Sequence, residues 1–128
     1  MDITQARKNT IDQQIRPWGG LNYIANNALR NIPREDFVPE KYKNLAFADI
    51  EIPLNNRAKM LSPKIEGRLL DALNIQKDEN VLEVGTGSGY LTAVISKLCK
   101  SITSIEIDED LSVSAQEKLN SLNINNTQ

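Results

Sequence analysis

A chain of 128 residues, 40% hydrophobic and 25% charged, has the balance of one globular domain and is too short for two ordinary ones. Its net charge of −2, with Lys and Arg scattered, excludes the basic field that nucleic acid or a lipid surface would need. One cysteine and no histidine exclude an internal disulfide, a Cys-rich or His-based metal site and nucleophiles activated by histidine.

The opening stretch, MDITQARKNTIDQQI, is polar and lacks the apolar centre of a signal peptide. No later apolar run reaches the length of a membrane span, so a cytoplasmic protein is expected. The same stretch reads as a helix with Ile3, Ala6, Thr10, Ile11 and Ile15 on one face, stopped by Pro17 and Gly19-Gly20. LNYIANNALRNI then places Leu21, Ile24, Ala28, Leu29 and Ile32 at helical spacing. Residues 33–57 carry three prolines and no clear period, which predicts irregular structure with at most a short helix or strand. A helix is expected over 63–74, with Ser62 as its cap, Pro63 in its first turn, and Ile65, Leu69, Leu70 and Leu73 as its buried stripe.

From Asn80 the pattern changes. NVLEVG suits a central strand of a parallel sheet, with Glu83 its single charge. GYLTAVISKLCK puts Leu91, Val94, Ile95 and Leu98 at helical spacing, and SITSIEID alternates like a second strand. DEDLSVSAQEKLNSLNI is a further amphipathic segment with Asp108 as a plausible cap. Strand, glycine loop, helix, strand, helix is the opening of a doubly wound α/β fold.

The loop between the first strand and its helix reads GTGSGY. A P-loop closes on Lys-Ser or Lys-Thr, but here Tyr90 and Leu91 follow. The dinucleotide pattern G-x-G-x-x-G requires glycine at 90, where Tyr stands, and Gly89 comes one residue early. Gly85 lets the chain turn sharply out of the strand, Gly87 clears the backbone for a ligand, and Gly89 lets the new helix pack close to the first strand. The helix start would offer free amides to an anion such as a methionine carboxylate, and Glu83 would face that moiety's ammonium group. Glu106 lies 21 residues beyond Gly85, where such folds place an acid for the ribose hydroxyls. A glycine turn alone is often only a turn, and an acid after a strand is often only a helix cap. A lone carboxylate inside an apolar run, however, is costly to bury. Together Glu83, the glycines and Glu106 favour a nucleoside-bearing ligand, S-adenosylmethionine before NAD.

EVGTGSGY followed by ITSIEID resembles motif I and the next acidic strand of S-adenosylmethionine-dependent methyltransferases. IPREDFVPE (32–40), LAFADIEIPL (45–54) and MLSPKIEGRLLDALNI (60–75) resemble the N-terminal half of protein-L-isoaspartate O-methyltransferases, and the likeness covers nearly the whole chain. It implies an α/β, Rossmann-like doubly wound methyltransferase fold, cut short after the second strand–helix unit and preceded by a helical region. Residues 1–62 would form the helical and substrate-loop region, and 63–128 the first half of the S-adenosylmethionine-binding domain. By the same resemblance, Gly85, Thr86, Gly87, Ser88 and Gly89 would cradle the methionine part of the cofactor, Glu83 would sit beneath it, and Glu106 would take the ribose. The family's reaction methylates isoaspartyl carboxylates in damaged proteins, so the implied partner is a protein or peptide carrying that residue. Such a carboxylate, with a pKa of about 4, is already ionised at neutral pH. No general base is then required, and catalysis is largely positioning.

Two departures from the family pattern stand out. Its substrate loop reads T-I-S-Q-P or T-I-S-A-P; aligned on Pro63, Leu61 takes the serine position, and leucine cannot hydrogen-bond a carboxylate. Ser62 is one residue late; it is the nearest candidate for a catalytic serine and reads equally as a helix cap. A non-catalytic relative that binds cofactor weakly or acts through a partner is the alternative; an NAD-binding protein is the third reading. The second departure is length. LNINNTQ stops where a third strand is expected to begin, leaving an unpaired apolar sheet edge. The chain is thus expected to be a fragment, or to cover that edge with its N-terminal helices or another copy.

Overall fold

The computed structural model describes residues 2–15 and 23–128, the side chains of 13–15 and 23 excepted. The helix stop at Pro17 and Gly19-Gly20, and the positions of Leu21 and the Ile15 side chain, lie outside the described residues. Helix α1 (Ile3–Asn9) is capped by Asp2, whose carboxylate accepts the Gln5 amide at 3.1 Å. A wider turn of π type, Thr10–Ile15, prolongs it. Helix α2 (Tyr23–Asn31) follows, then two 3-10 turns, Arg34–Phe37 and Glu40–Leu45. Contrary to the periodicity, Ile3 and Ile24 are exposed, while Ile11, Ala28, Leu29 and Ile32 are buried. No residue of α1 is buried; an ion pair between Arg7 and Glu35, at 2.5 Å, ties it down instead.

Strands β1 (Ile52–Pro53) and β2 (Lys59–Met60) make a small antiparallel hairpin, Ile52 opposite Met60. Helix α3 (Pro63–Leu73) starts where expected and ends on Asn74 in the left-handed conformation. Ser62 has the extended backbone of an N-cap, but its hydroxyl makes no capping bond. The Asp49 carboxylate caps in its place, accepting the Lys64 amide at 3.1 Å. The expected buried stripe also needs correction. Pro63, Glu66, Gly67 and Leu70 face inward, whereas Ile65, Leu69 and Leu73 are 44%, 39% and 55% exposed. The helix is rotated so that Glu66 faces the interior, where it forms a buried ion pair with Arg34.

Strand β3 (Asn80–Val84) pairs in parallel with β4 (Ser101–Ile105), in register from Asn80–Ser101 to Val84–Ile105. Helix α4 (Tyr90–Ser96) connects them, and α5 (Glu109–Ser121) follows β4. Asp108 caps α5 as predicted, accepting the Leu111 amide at 3.1 Å. Residues 126–128 then add to the other side of β4: Thr127 bridges Ile102 in parallel, and the Gln128 amide donates to the Ile102 carbonyl at 2.9 Å. The third strand is therefore begun rather than wholly missing.

Val94, Ile95 and Leu98 are buried as their spacing predicts. One apolar cluster runs from Ile11, Leu29, Phe37 and Ile52 through Leu70, Val94 and Ile102 to Leu119 and Ile124, so residues on both sides of position 62 share it. Alternation along the strands divides the sheet. Ile102 is completely buried and Val81 partly so, while Leu82, Val84 and Ile105 are 63%, 79% and 51% exposed. Among the described residues no strand pairs with the free edge of β3, and that second face stays exposed. Among the described residues, no helix is long and apolar enough to cross a membrane.

Truncation on the two faces should therefore differ. Ile102→Ala is expected to cost about 2–5 kcal/mol, and Val84→Ala, at a position 79% exposed, no more than about 1 kcal/mol, both read as shifts of the urea midpoint.

Candidate functional site

The parallel register brings the carboxyl ends of β3 and β4 side by side, and the loops that leave them build the site. The first loop needs its glycines. Gly85, Gly87 and Gly89 have φ of +96°, +58° and +89°, a region that L side chains enter only with strain. Gly85 has open space where a Cβ would stand, so it is required for the turn alone. A Cβ on Gly89 would lie 3.0 Å from Ala115 Cβ on α5 and 3.6 Å from the Phe37 ring. The close approach at Gly89 is thus between the start of α4 and α5, not between helix and strand as the spacing suggested.

Within the loop most amides are engaged. Gly85 and Thr86 donate to the Ile105 carbonyl at 2.7 and 3.3 Å, and Gly89 donates to Thr86 at 3.0 Å. The Tyr90 amide donates to the Ser88 hydroxyl at 3.2 Å. At the helix start, the Gly89 and Tyr90 amides are thus engaged by the loop itself. Glu106, just past β4, closes the ring: Oε1 accepts the Gly87 amide at 2.7 Å and Oε2 the Asp108 amide at 3.0 Å. The acid and the glycine loop are one hydrogen bond apart.

Glu83 lies inside the cleft. Its Oε1 accepts hydroxyl hydrogens from Thr92 and, at 2.6 Å, from Ser104. Ser104 spends its one hydrogen on Glu83, so the 2.5 Å contact between Thr86 and Ser104 has Thr86 as donor. A relay of hydroxyls thus links the glycine loop to this half-buried acid. Burial pushes the Glu83 carboxyl above its ordinary range, the bonds from Ser104 and Thr92 pull it down, and the nearby Glu106 charge adds to the rise. Ser104 and Thr92 were not singled out from sequence. The available signal was Ser104 at the alternate position from Glu106 on a strand whose partner carries Glu83.

Two cavities flank this core. One of about 540 Å³ is lined by Gly85, Gly87, Glu106, Asp108, Asn55 and Arg57 among others. The side chain of Asn55, between β1 and β2, donates to Asp108 at 2.9 Å, and both line this cavity. The second, about 80 Å³, lies between hairpin and loop, with Leu61, Glu66, Glu83, Thr86 and Ser88 on its wall. Glu83, Gly85, Thr86, Gly87, Ser88 and Glu106 therefore meet in one region. Leu61 lines the smaller cavity; Ser62 and Gly89 line neither. Burial pushes Glu66 up to about 7 although Arg34 pulls it down.

The family model of protein-L-isoaspartate(D-aspartate) O-methyltransferase matches residues 7–128. The chain belongs to this family. The Myxococcus xanthus protein-L-isoaspartate O-methyltransferase is 37% identical over 111 residues, 80% of this chain and 52% of that protein. The Aliivibrio salmonicida enzyme of the same name is 36% identical over 124 residues, 97% of this chain and 60% of that one. The chain thus spans about half the length of the curated relatives it matches. Among solved structures, a putative protein-L-isoaspartate O-methyltransferase from Plasmodium falciparum, in complex with S-adenosyl-L-homocysteine, superposes with a TM-score of 0.79. It is 19% identical, with 99% of this chain and 61% of that one covered. A second solved protein-L-isoaspartate O-methyltransferase gives a TM-score of 0.74 at 24% identity, covering 84% of this chain and 37% of that one. The α/β, Rossmann-like methyltransferase fold expected from the sequence is the fold observed.

The packing at Gly89 and the burial of Glu66 each predict a measurement. Gly89→Ala adds overpacking against α5 to backbone strain, and should cost about 2–4 kcal/mol. Gly85→Ala should cost about 1–2 kcal/mol, from strain alone; urea midpoints separate the two. Glu66 holds its proton more tightly folded, at about 7, than at its ordinary 4.5. The native state therefore carries the extra proton between those values, and stability falls as pH rises through them. The fall is up to about 3 kcal/mol, and Glu66→Gln should flatten it when midpoints are compared at about pH 5 and about pH 8.

Proposed function

We propose that these 128 residues supply the cofactor-binding and acceptor-loop part of an S-adenosylmethionine-dependent methyltransferase acting on isoaspartyl carboxylates, a protein-repair activity. The observation that carries this reading is the bond between Glu106 and the Gly87 amide at the edge of the 540 Å³ cavity. It joins an acid suited to a ribose diol to a bare backbone at the cavity wall, whose volume suits a ligand of nucleoside size. The relative from Plasmodium falciparum, solved with S-adenosyl-L-homocysteine, supports the same ligand here.

In this reading Glu106 exchanges its backbone partners for the two ribose hydroxyls. Glu83, held by Thr92 and Ser104, faces the cationic ammonium end, and Gly85 to Gly89 bound the methionine part. S-adenosylmethionine supplies an activated methyl group when bound. The acceptor carboxylate is already ionised, so no residue here has to remove a proton, and the absence of histidine is no obstacle. Two acids in the cleft also oppose a pyrophosphate, which argues against NAD.

Leu61 on the wall of the smaller cavity favours a second reading, a relative that keeps the cofactor but not the isoaspartyl reaction. Its side chain offers no hydrogen bond to an acceptor. Calorimetric titration with S-adenosylhomocysteine, beside a methylation assay on an isoaspartyl peptide, decides between them. The first reading expects binding and turnover. Binding without turnover selects the second, and no binding by the unchanged chain overturns both. Glu106→Ala is expected to weaken S-adenosylhomocysteine about 10- to 100-fold, the worth of hydrogen bonds to a charged group.

A further inference from the structure

The PREDFV segment, residues 33–38, contributes no side chain to either cavity of the site, yet it holds the most thoroughly buried cation described. Arg34 is 3% exposed. Its Nε donates to the Ala46 carbonyl at 2.7 Å and its Nη2 to the Leu61 carbonyl at 3.2 Å. Nη1 is bonded to the Glu66 carboxylate, and the guanidinium carbon lies 4.8 Å from the centre of the Tyr90 ring. Tyr90 is the first residue of α4, directly after Gly89, and its ring also meets Phe37 edge-on at 5.9 Å. One side chain therefore touches the loop before β1, the loop after β2, α3 and the end of the glycine loop.

We infer that Arg34 is a positioning residue: it fixes the backbone of the acceptor loop, at Leu61, against the glycine loop, at Tyr90. The inference rests on the methyltransferase reading above for what the two loops hold. Leu61 cannot grip an acceptor with its side chain, so the acceptor's place depends on the loop's backbone and shape. Arg34 supplies a side-chain bond to that loop's backbone, at the Leu61 carbonyl. The task needs a planar fork. Three N–H groups leave Arg34 in different directions while its face rests on an aromatic ring, and a lysine ammonium on a flexible stem cannot serve all four partners. A displacement of about 1 Å between acceptor and methyl group can cost about 100-fold in rate, so loosening this one side chain should be felt in turnover. An ordinary structural ion pair between Arg34 and Glu66 would be satisfied by any cation at position 34.

The test compares the unchanged chain with Arg34→Lys, which keeps the charge opposite Glu66, and with the double variant Arg34→Met/Glu66→Gln, which leaves no buried charge unpaired. Hydrogen exchange of the peptide spanning 59–62 and calorimetry with S-adenosylhomocysteine are read on each, with kcat and KM for an isoaspartyl peptide beside them. In both variants, exchange at 59–62 is expected to rise while that of α5 is unchanged. S-adenosylhomocysteine affinity should stay within about threefold, and kcat/KM should fall at least about tenfold. Unchanged exchange at 59–62 in folded Arg34→Lys overturns the inference, as does an equal rise throughout the molecule. Failure of the methyltransferase reading shows itself separately, as absence of S-adenosylhomocysteine binding by the unchanged chain.

Discussion

Glu106 reaches the Gly87 amide because two conditions hold at once. Val84 and Ile105 are paired partners at the ends of parallel strands, so the chain leaves both strands at the same level. Beyond Val84 it then turns through glycines in left-handed conformations, which swing the loop across the end of β4 rather than away from it. A side chain at Gly85 or Gly87 would demand a different path. A one-residue slip in the register would move Glu106 to the opposite face of its strand. The candidate site is therefore a property of sheet register and backbone chirality before it is a property of any functional group.

The charge arrangement follows from that frame. Two acids, Glu83 and Glu106, share a small region. Glu106 is held by backbone amides and Glu83 by hydroxyls, so both keep their charge-bearing carboxyls facing the site without an opposite charge among these donors. These are different kinds of partner. The amides that hold Glu106 belong to the two loops themselves, Gly87 in one and Asp108 in the other. Hydroxyls held by β4 and α4 orient Glu83, and their bonds oppose the rise in its pKa that burial imposes. A cleft built this way attracts positive charge and repels phosphate, the charge logic of a sulfonium amino-acid nucleoside rather than of a dinucleotide.

Much of this was legible in the sequence, and for local reasons. The glycine loop, the strands on either side, Asp108 as a cap and the buried face of α4 depend on spacing over a few residues. What was not legible depends on partners distant in the chain. Ile65, Leu69 and Leu73 looked buried because apolar periodicity ordinarily marks the inner face of a helix. The inner face of α3 is instead set by Glu66, whose partner lies 32 residues earlier. Gly89 was read as serving its own strand, but the atom it makes room for is Ala115. Ser62 kept the backbone of a cap while Asp49, on a preceding loop, supplied the carboxylate. The PREDFV segment was recognisable as a pattern; only the structure shows that its arginine is where four segments meet.

The uncovered face of the sheet has an equally simple origin. From β3 to β4 to residues 126–128 the chain moves across the sheet in one direction, each strand parallel to the last. Right-handed crossovers in a constant direction deliver every connecting helix to the same face. Thr92 of α4 meets Glu83 on that face, and Ala115 of α5 packs on the start of α4. Leu82, Val84 and Ile105 point the other way, and a doubly wound sheet covers that side only after its strand order reverses. The loops that carry Gly85 to Gly89 and Glu106 need no such reversal. They emerge from the carboxyl ends of β3 and β4, braced by α4, α5 and the hairpin, so the candidate cleft is assembled from the covered side alone.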